Sequence, residues 1–528
     1  MFSLTMMMVL GQLPDGEESV LDVLTAVRRW RETVGSGRAV ALLGTAPMPF
    51  EHARMNYAPG GRTWQFAQGL VADGICPLVV CERMAGGYDG ADPGIEIEQT
   101  DSVMIVRMSS EDFHAGDIIP NLIKAFDPGC LVGASARPSG RCVEVADGRP
   151  VWVDLFGDPM AEAQARAARC SEGDQLTAYR NLVATLVESG DVFSVVSGRQ
   201  RDVAIGQLGV LGRLNRETAG LRMVHVLPCA AMGVATQAIA PDDRDPAWSI
   251  ADDAFVILWS GGFNTWCDVE TLVGGIENAM EKIEDLQLVV TGGAIAGHDE
   301  LSWDRFRNLV EVSAFSDRIQ LLGSLTTEEL AWWVERADLG LVTEKVLYER
   351  ELGSSGRMIA WLEAKLPFVA TSQSELVQYC VDRGVAYAYR PGDPASLTSI
   401  LLHVFEQRAA LPEIGERARR LAREHFSIGK TTGPLRRWVS GAEKAPDLSR
   451  NESNPLSFWV MNRALKGALQ EGEVLRQKNL HMEVELQQIG AQLHDIHRST
   501  MWRTWAVLRK IKDLVTSPWS KAGTTTEP

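Results

Sequence analysis

Two glycine-rich turns are placed where a backbone could meet a phosphate. Gly60, Gly61 and Arg62, in APGGRTWQ, precede an expected helix, and Gly261 and Gly262, in LWSGGFNTWCD, follow an apolar strand and precede another helix. Glycine lets the backbone come close to an anion, and a helix N-terminus offers unsatisfied N–H groups at the positive end of its dipole. Arg62 could add charge to the first turn, and Asn264, Thr265 and Asp268 offer hydrogen bonds in the second. Gly292 and Gly293, after LVVT, make a third strand-end turn. Between Glu344 and Arg357, EKVLYERELGSSGR could present the N–H groups of Ser354, Ser355 and Gly356 to a diphosphate at a helix start, with Arg357 balancing its charge. Taken singly, each segment also reads as an ordinary surface loop. Two glycine turns, one per domain and facing a shared cleft, say more than either alone. No GxSxG, HExxH or full P-loop is present. Asp243 and Asp245 form a DxD, but in a proline-flanked linker, where they read as solvated turn residues; no metal site is expected.

The elements that carry these turns alternate. In the second half, FVILWSGG, LQLVVTGG, RIQLLGSL, ADLGLVTE and LPFVAT are short apolar strands ending in glycine or small polar residues, with helical stretches between them. Parallel strands must be joined by crossovers, usually helices, and their ligands bind at the carboxyl ends. The first half has the same character, with strands at RAVALL, PLVVCE, SVMIVRM, CLVGAS, VWVDLF and VFSVVS and helices at 161–169 and 175–188. The chain is expected to be α/β, with two Rossmann-like doubly wound domains at 36–230 and 231–439 and a ligand cleft between them. A helical extension is expected over 1–35, with Val20, Leu24, Val27 and Trp30 on its apolar face.

After a polar linker at 440–457 the pattern changes to heptads. Phe458, Met461, Leu465, Ala468, Gly472, Leu475, Asn479, Met482, Leu486, Ile489, Leu493 and Ile496 recur at spacings of three and four, which predicts a coiled coil over 458–498 and a homo-oligomer built on it. A single amphipathic helix packed on the second domain is the alternative. Asn479 on the seam would set register. Residues 499–516 combine Trp502, Trp505, Leu508 and Ile511 with Arg503, Arg509, Lys510 and Lys512, which suits either peripheral contact with an anionic membrane or docking to a protein partner. The tail 517–528 is expected to be disordered. The 528 residues carry a formal net charge of −17, which argues against nucleic-acid binding by the whole chain, and the eight scattered cysteines form no paired CxxC. With no basic flank at the N-terminus and no apolar stretch of ~20 residues, a cytoplasmic protein is expected, peripheral at most to the inner face of a membrane.

The order of segments resembles the GT-B glycosyltransferases, in particular the family-4 (group 1) retaining enzymes that use nucleotide-sugar donors. The similar stretches span nearly all of 38–439. They include GGRTWQFAQGLVADG, VDLFGDPMAEAQA and VVSGRQRDVAIGQLGVLGRLN in the first domain. In the second they include LWSGGFNTWCDVETLVGGIENAM and GRMIAWLEAKLPFVATSQSELVQYCVDRGVAYAYRPGDPASL. The helical tail with its Trp/Arg-rich end is similar to tails of cell-surface polysaccharide transferases. The resemblance implies that the first domain binds a glycan or lipid-linked acceptor and the second a nucleotide-sugar, as substrate rather than cofactor. It places Gly61 and Arg62 near the donor phosphates, with Gly261, Gly262, Asn264 and Gly293 on the donor side. Ser354, Ser355, Gly356 and Arg357 would cradle the diphosphate, and Ser324 would lie near the base. Asp154 and Asp158 are the polar groups where the family offers a histidine, whose own place is taken by Phe156. The family's two glutamates, with seven residues between them, correspond here to Leu352 and Ala360, while Glu351 and Glu363 lie nearby. GGFNTW stands where a basic pair is usual, so the diphosphate would rest on N–H groups and Arg357. A transferase is the first expectation. A transferase-like scaffold without activity, in a polysaccharide assembly complex, is the second, and another GT-B enzyme such as a sugar-nucleotide epimerase the third.

Overall fold

The computed structural model describes residues 20–34, 39–51, 57–84, 86–88, 94–114, 116–168, 173–233, 248, 250–251, 253–295, 299, 301–448 and 458–516. Asp243, Asp245, Cys170, the second half of the 440–457 linker and the 517–528 tail lie outside them. The chain divides into one compact unit ending at Glu452 and a second beginning at Ser453.

Among the described residues, fourteen strands make two sheets in the first unit. β1 (Ala39–Ala46), β2 (Cys76–Arg83), β3 (Glu96–Gln99), β4 (Met104–Met108), β5 (Cys130–Gly133), β6 (Val151–Asp154), β7 (Val192–Val195) and β8 (Val224–Val226) order as β3-β4-β2-β1-β5-β6-β7-β8. All neighbours are parallel except the β3–β4 hairpin. β9 (Phe255–Ser260), β10 (Leu286–Thr291), β11 (Ile319–Gly323), β12 (Leu339–Val342), β13 (Phe368–Thr371) and β14 (Ala386–Tyr389) form an all-parallel sheet ordered β11-β10-β9-β12-β13-β14. β1 and β9 are wholly buried runs, as strands covered by helices on both faces must be. The order reverses at β1/β5 and β9/β12, and such switch points open a crevice at the carboxyl ends of the strands.

The helix Val20–Thr33 belongs to the first core rather than extending from it. Val23, Val27 and Trp30 are buried, Trp30 stacks on Phe126 at 5.4 Å, and Val20, expected on the apolar face, is 38% exposed. The C-terminal boundary of the second domain also shifts. Helices Ile428–Thr431 and Gly433–Val439 return to the first domain, where Leu435 is buried in its core, Trp438 packs on Trp152 at 5.5 Å, and Asp447 pairs with Arg213 at 2.7 Å.

The carboxyl edges of the two sheets meet. Ser197 Oγ, just past β7, donates to the carbonyl of Leu352 at 2.6 Å. The N–H groups of Gly198 and Arg199, at the start of the helix Gly198–Val210, each donate to the carboxylate of Glu375 at 3.0 Å, and the Arg199 guanidinium reaches the carbonyl of Gln373. A carboxylate from the second domain thus caps a helix of the first, satisfying two end N–H groups and meeting the helix dipole. Glu375→Ala should loosen this closure. We expect a larger radius of gyration by small-angle X-ray scattering with both domains still folded; an unchanged profile would show that closure does not depend on Glu375.

Candidate functional site

Three turns at the ends of β9, β10 and β11 lie against one another without side chains. Gly261 N–H donates to the Thr291 carbonyl at 3.1 Å, Phe263 N–H to Gly293 at 2.9 Å, and Gly292 N–H to Gly323 at 2.5 Å. Gly261 and Gly292 adopt φ of +104° and +91°, which L side chains avoid, and a Cβ on Gly292 would collide with the Gly261 carbonyl. Gly262 and Gly293 belong to the same turns.

The space above Gly261 is taken by Arg357. Its guanidinium would lie 2.6 Å from a Cβ on Gly261 and sits 5.5 Å from the ring of buried Trp259. Among the described residues, Arg357 has no hydrogen bond or ion pair. Arg357 is half-buried, and partial loss of water around the cation lowers its pKa. It is the second residue of the helix Gly356–Glu363, whose N-cap Ser355 makes no side-chain cap, so the end N–H groups need another partner. Nothing would lie within 4 Å of a Cβ on Gly356, and Ser354 and Ser355 are half-buried. The Ser354 hydroxyl faces Cys229 of the crossing between domains. A cation and a helix start converge here without a counter-ion, an arrangement suited to a diphosphate.

A neighbouring charge cluster is already satisfied. Arg350 pairs with Glu344 at 2.9 Å and with Glu349, and stacks over Trp266 at 4.6 Å. Asn264 and Cys267 close a turn with Sγ–Oδ1 at 3.5 Å, and Asp268 accepts from the N–H and hydroxyl of Thr271. These side chains build the loop rather than offering themselves to a ligand. Ser324 is exposed at the end of β11, beside a capping box between Thr326 and Glu329.

In the first domain the expected roles change. Arg62 is 1% exposed and bonded inward: Nε and one terminal nitrogen donate to the Asp154 carboxylate at 3.0 and 2.8 Å, and the other terminal nitrogen donates to Gln65 and to the carbonyls of Leu227 and Pro228. It is a strut and does not reach the donor side. Asp154 also accepts from Ser135 N–H and Ser194 Oγ, so four bonds fill its lone pairs and leave none for an acceptor hydroxyl. Asp158 caps the helix Pro159–Ala167 through Ala161 N–H at 2.8 Å, and burial raises its pKa. Phe156 crosses the cleft to pack on the second core, with the Arg62 guanidinium 5.2 Å from its ring. Gly61 lies in the first turn of the helix Ala58–Ala72, 3.6 Å from the Met232 methyl if it carried a Cβ, while a Cβ on Gly60 would strike the Pro47 carbonyl. Near the positions matched to the family's glutamates, Ala360 is exposed, and Glu363 accepts from Gly233 N–H at 3.1 Å.

A group the sequence reading missed lies at the ends of β2, β4 and β5. Glu82 accepts from Ser110 Oγ at 2.6 Å and meets His114 Nε2 at 3.2 Å and Arg137 at 3.3 Å. Burial pushes the Glu82 carboxyl up, but the bonds from His114 and Ser110 and the charge of Arg137 outweigh it and leave its pKa lowered. Glu82 and Ser110 lie at or just past strand ends, and His114 and Arg137 on the helices that follow β4 and β5; that position after a strand is the one sequence signal that could have found them.

Two doubly wound domains joined edge to edge, with a chain that returns to the first, define the GT-B fold. Among solved structures the chain is similar to sucrose-phosphate synthase from Thermosynechococcus elongatus, at 16% identity and TM-score 0.56 over 77% of this chain and all of that one. HepE from Anabaena in complex with UDP and glucose matches at 12% and 0.54, over 76% of this chain and 99% of that one. An E. coli trehalose-6-phosphate protein bound with UDP-2-fluoro glucose matches at 11% and 0.55, over 77% and 100%. No family model and no curated protein matches the chain.

Arg62→Met would leave the Asp154 carboxylate buried without its counter-charge. We expect a loss of about 3–5 kcal/mol in chemical unfolding. A loss under ~1 kcal/mol would show that the pair is not the strut described.

Proposed function

We propose that the chain is a glycosyltransferase that moves a sugar from a nucleotide-sugar donor to a glycan or lipid-linked acceptor. The observation that carries this reading is Arg357, a half-buried guanidinium that makes no hydrogen bond or ion pair among the described residues and stands beside a helix start, against the turn that ends β9. In transfer, negative charge grows on the leaving diphosphate, and a fixed cation with oriented N–H groups stabilises that charge more than the ground state. Arg357 would fill this role in place of a metal ion, and retention of configuration is proposed on the resemblance to family-4 enzymes. Phe156 would give the sugar an apolar wall. A place in cell-surface polysaccharide synthesis, on the cytoplasmic side, is part of the same proposal.

Titration calorimetry against a panel of nucleotides and nucleotide-sugars tests it. At least one donor should bind, and Arg357→Ala should weaken it about ten- to a hundredfold, the size of a lost charge-assisted hydrogen bond or two. Equal binding by the variant would remove Arg357 from the site. If no donor binds the native chain, the scaffold reading prevails, which Leu352 and Ala360 already favour.

We also infer that the helix Phe458–Arg498 pairs with its copy. Its 41 residues run ~62 Å at 1.5 Å per residue, and its a/d stripe is open: Leu475 is 60% exposed and Leu486 67%. In a parallel, in-register pair Asn479 at a meets Asn479 of the copy, and Lys478 at g faces Glu483 at e; antiparallel pairing would set Asn479 against an apolar d residue. Sedimentation equilibrium should give a dimer, with Asn479→Leu shifting it to higher or mixed species. A monomer at micromolar concentration would refute the pairing.

A further inference from the structure

The last helix, Thr500–Thr516, starts afresh at Ser499, whose hydroxyl accepts from Trp502 N–H at 3.2 Å. The break matters because the heptad does not continue through it. Counting on from Asn479 at a and Ile496 at d, the next two d positions hold Arg503 and Lys510. A zipper seam cannot bury two cations in succession, so this helix is not its extension.

At 100° per residue, Met501, Trp505, Leu508, Ile511, Leu514 and Val515 share about half of the circumference. All are half or more exposed, from 50% for Ile511 to 84% for Met501. Arg503, Arg509 and Lys510 occupy the opposite half with Asp513 and Trp502, and Lys512 sits among the apolar residues, so Trp505 lies on the apolar arc and Trp502 at its polar side. Four cations and one acid give this segment +3, in a chain whose formal charge is −17. The Trp505 ring lies 5.5 Å from both the Trp502 ring and the Arg509 guanidinium, so aromatic and cationic groups stand side by side. No helix among the described residues is long and apolar enough to cross a membrane. A wide apolar arc, paired tryptophans and a cationic back, on a helix too short and too charged to span, match the boundary between acyl chains and anionic headgroups. The arc is broader than the a/d stripe that a partner helix would need.

We infer that residues 500–516 lie in the plane of an anionic bilayer surface, apolar face toward the acyl chains and cations at the headgroups. This is independent of the proposed transfer reaction. The test is co-sedimentation of the full chain with vesicles of phosphatidylglycerol and phosphatidylcholine, compared with phosphatidylcholine alone. The native chain should bind the anionic vesicles, and more weakly as salt rises. Trp505→Glu with Leu508→Glu should abolish binding, while Arg509→Gln with Lys510→Gln should weaken it about 25-fold, roughly fivefold for each cation. Circular dichroism and the sedimentation mass of each variant report fold and assembly. The inference is overturned if the native chain ignores anionic vesicles, or if the Glu variant binds them as well as the native chain. It is also overturned if that variant loses mass in solution, which would assign the face to a protein partner.

Discussion

One buried guanidinium, Arg62, holds together the part of the molecule where the two sheets join. It fixes the end of β6 through Asp154, and through Asp154 the turn at Ser135 and the hydroxyl of Ser194 in β7. On its other side it grips the carbonyls of Leu227 and Pro228, where the chain leaves for the second domain. Gln65, one turn along the same helix, donates to Pro228 and to Thr431 Oγ1, where the chain comes back. Such a pair repays its desolvation only because every lone pair and most donors are bonded. The edge-to-edge meeting of the domains, and the cleft it makes, rest on that saturation.

Arg357 is the reverse case. It is only half-buried, no carboxylate or carbonyl among the described residues receives it, and Gly261 yields the space for its head. In the proposed reading, the difference between the two arginines is the difference between structure and site. A satisfied cation holds a fold in place; an unsatisfied one, aimed at strand ends beside an uncapped helix start, gives an anion a reason to bind.

Much of this could be read from residue order. Apolar runs ending in glycine mark the strands because buried parallel strands need both faces apolar and a tight exit at the carboxyl end. Gly261 and Gly293 were legible as turns for that reason. Residue type misled where the partner is remote in sequence. Arg62 follows two glycines at a helix start, as a phosphate ligand would, yet its partners are 92 and 165 residues away. On the first helix Val27 and Trp30 face inward as their spacing says, while Val23 is buried in place of Val20, which lies at the helix start and is exposed. The return of 428–439 to the first domain has no local mark either; Leu435 and Trp438 look like any amphipathic helix. Glu82, His114 and Arg137 lie on three segments, and only the strand order brings them together.

Because both crossings are fastened to Arg62 and Gln65, they cannot slide separately. The two crossings are therefore tied to one node between the domains. Away from that node, the bonds from Ser197, Gly198 and Arg199 also fasten the second domain to the first. A node of saturated bonds at one place and a helix start held by a single carboxylate at another make the union of the two domains firm in the first and light in the second.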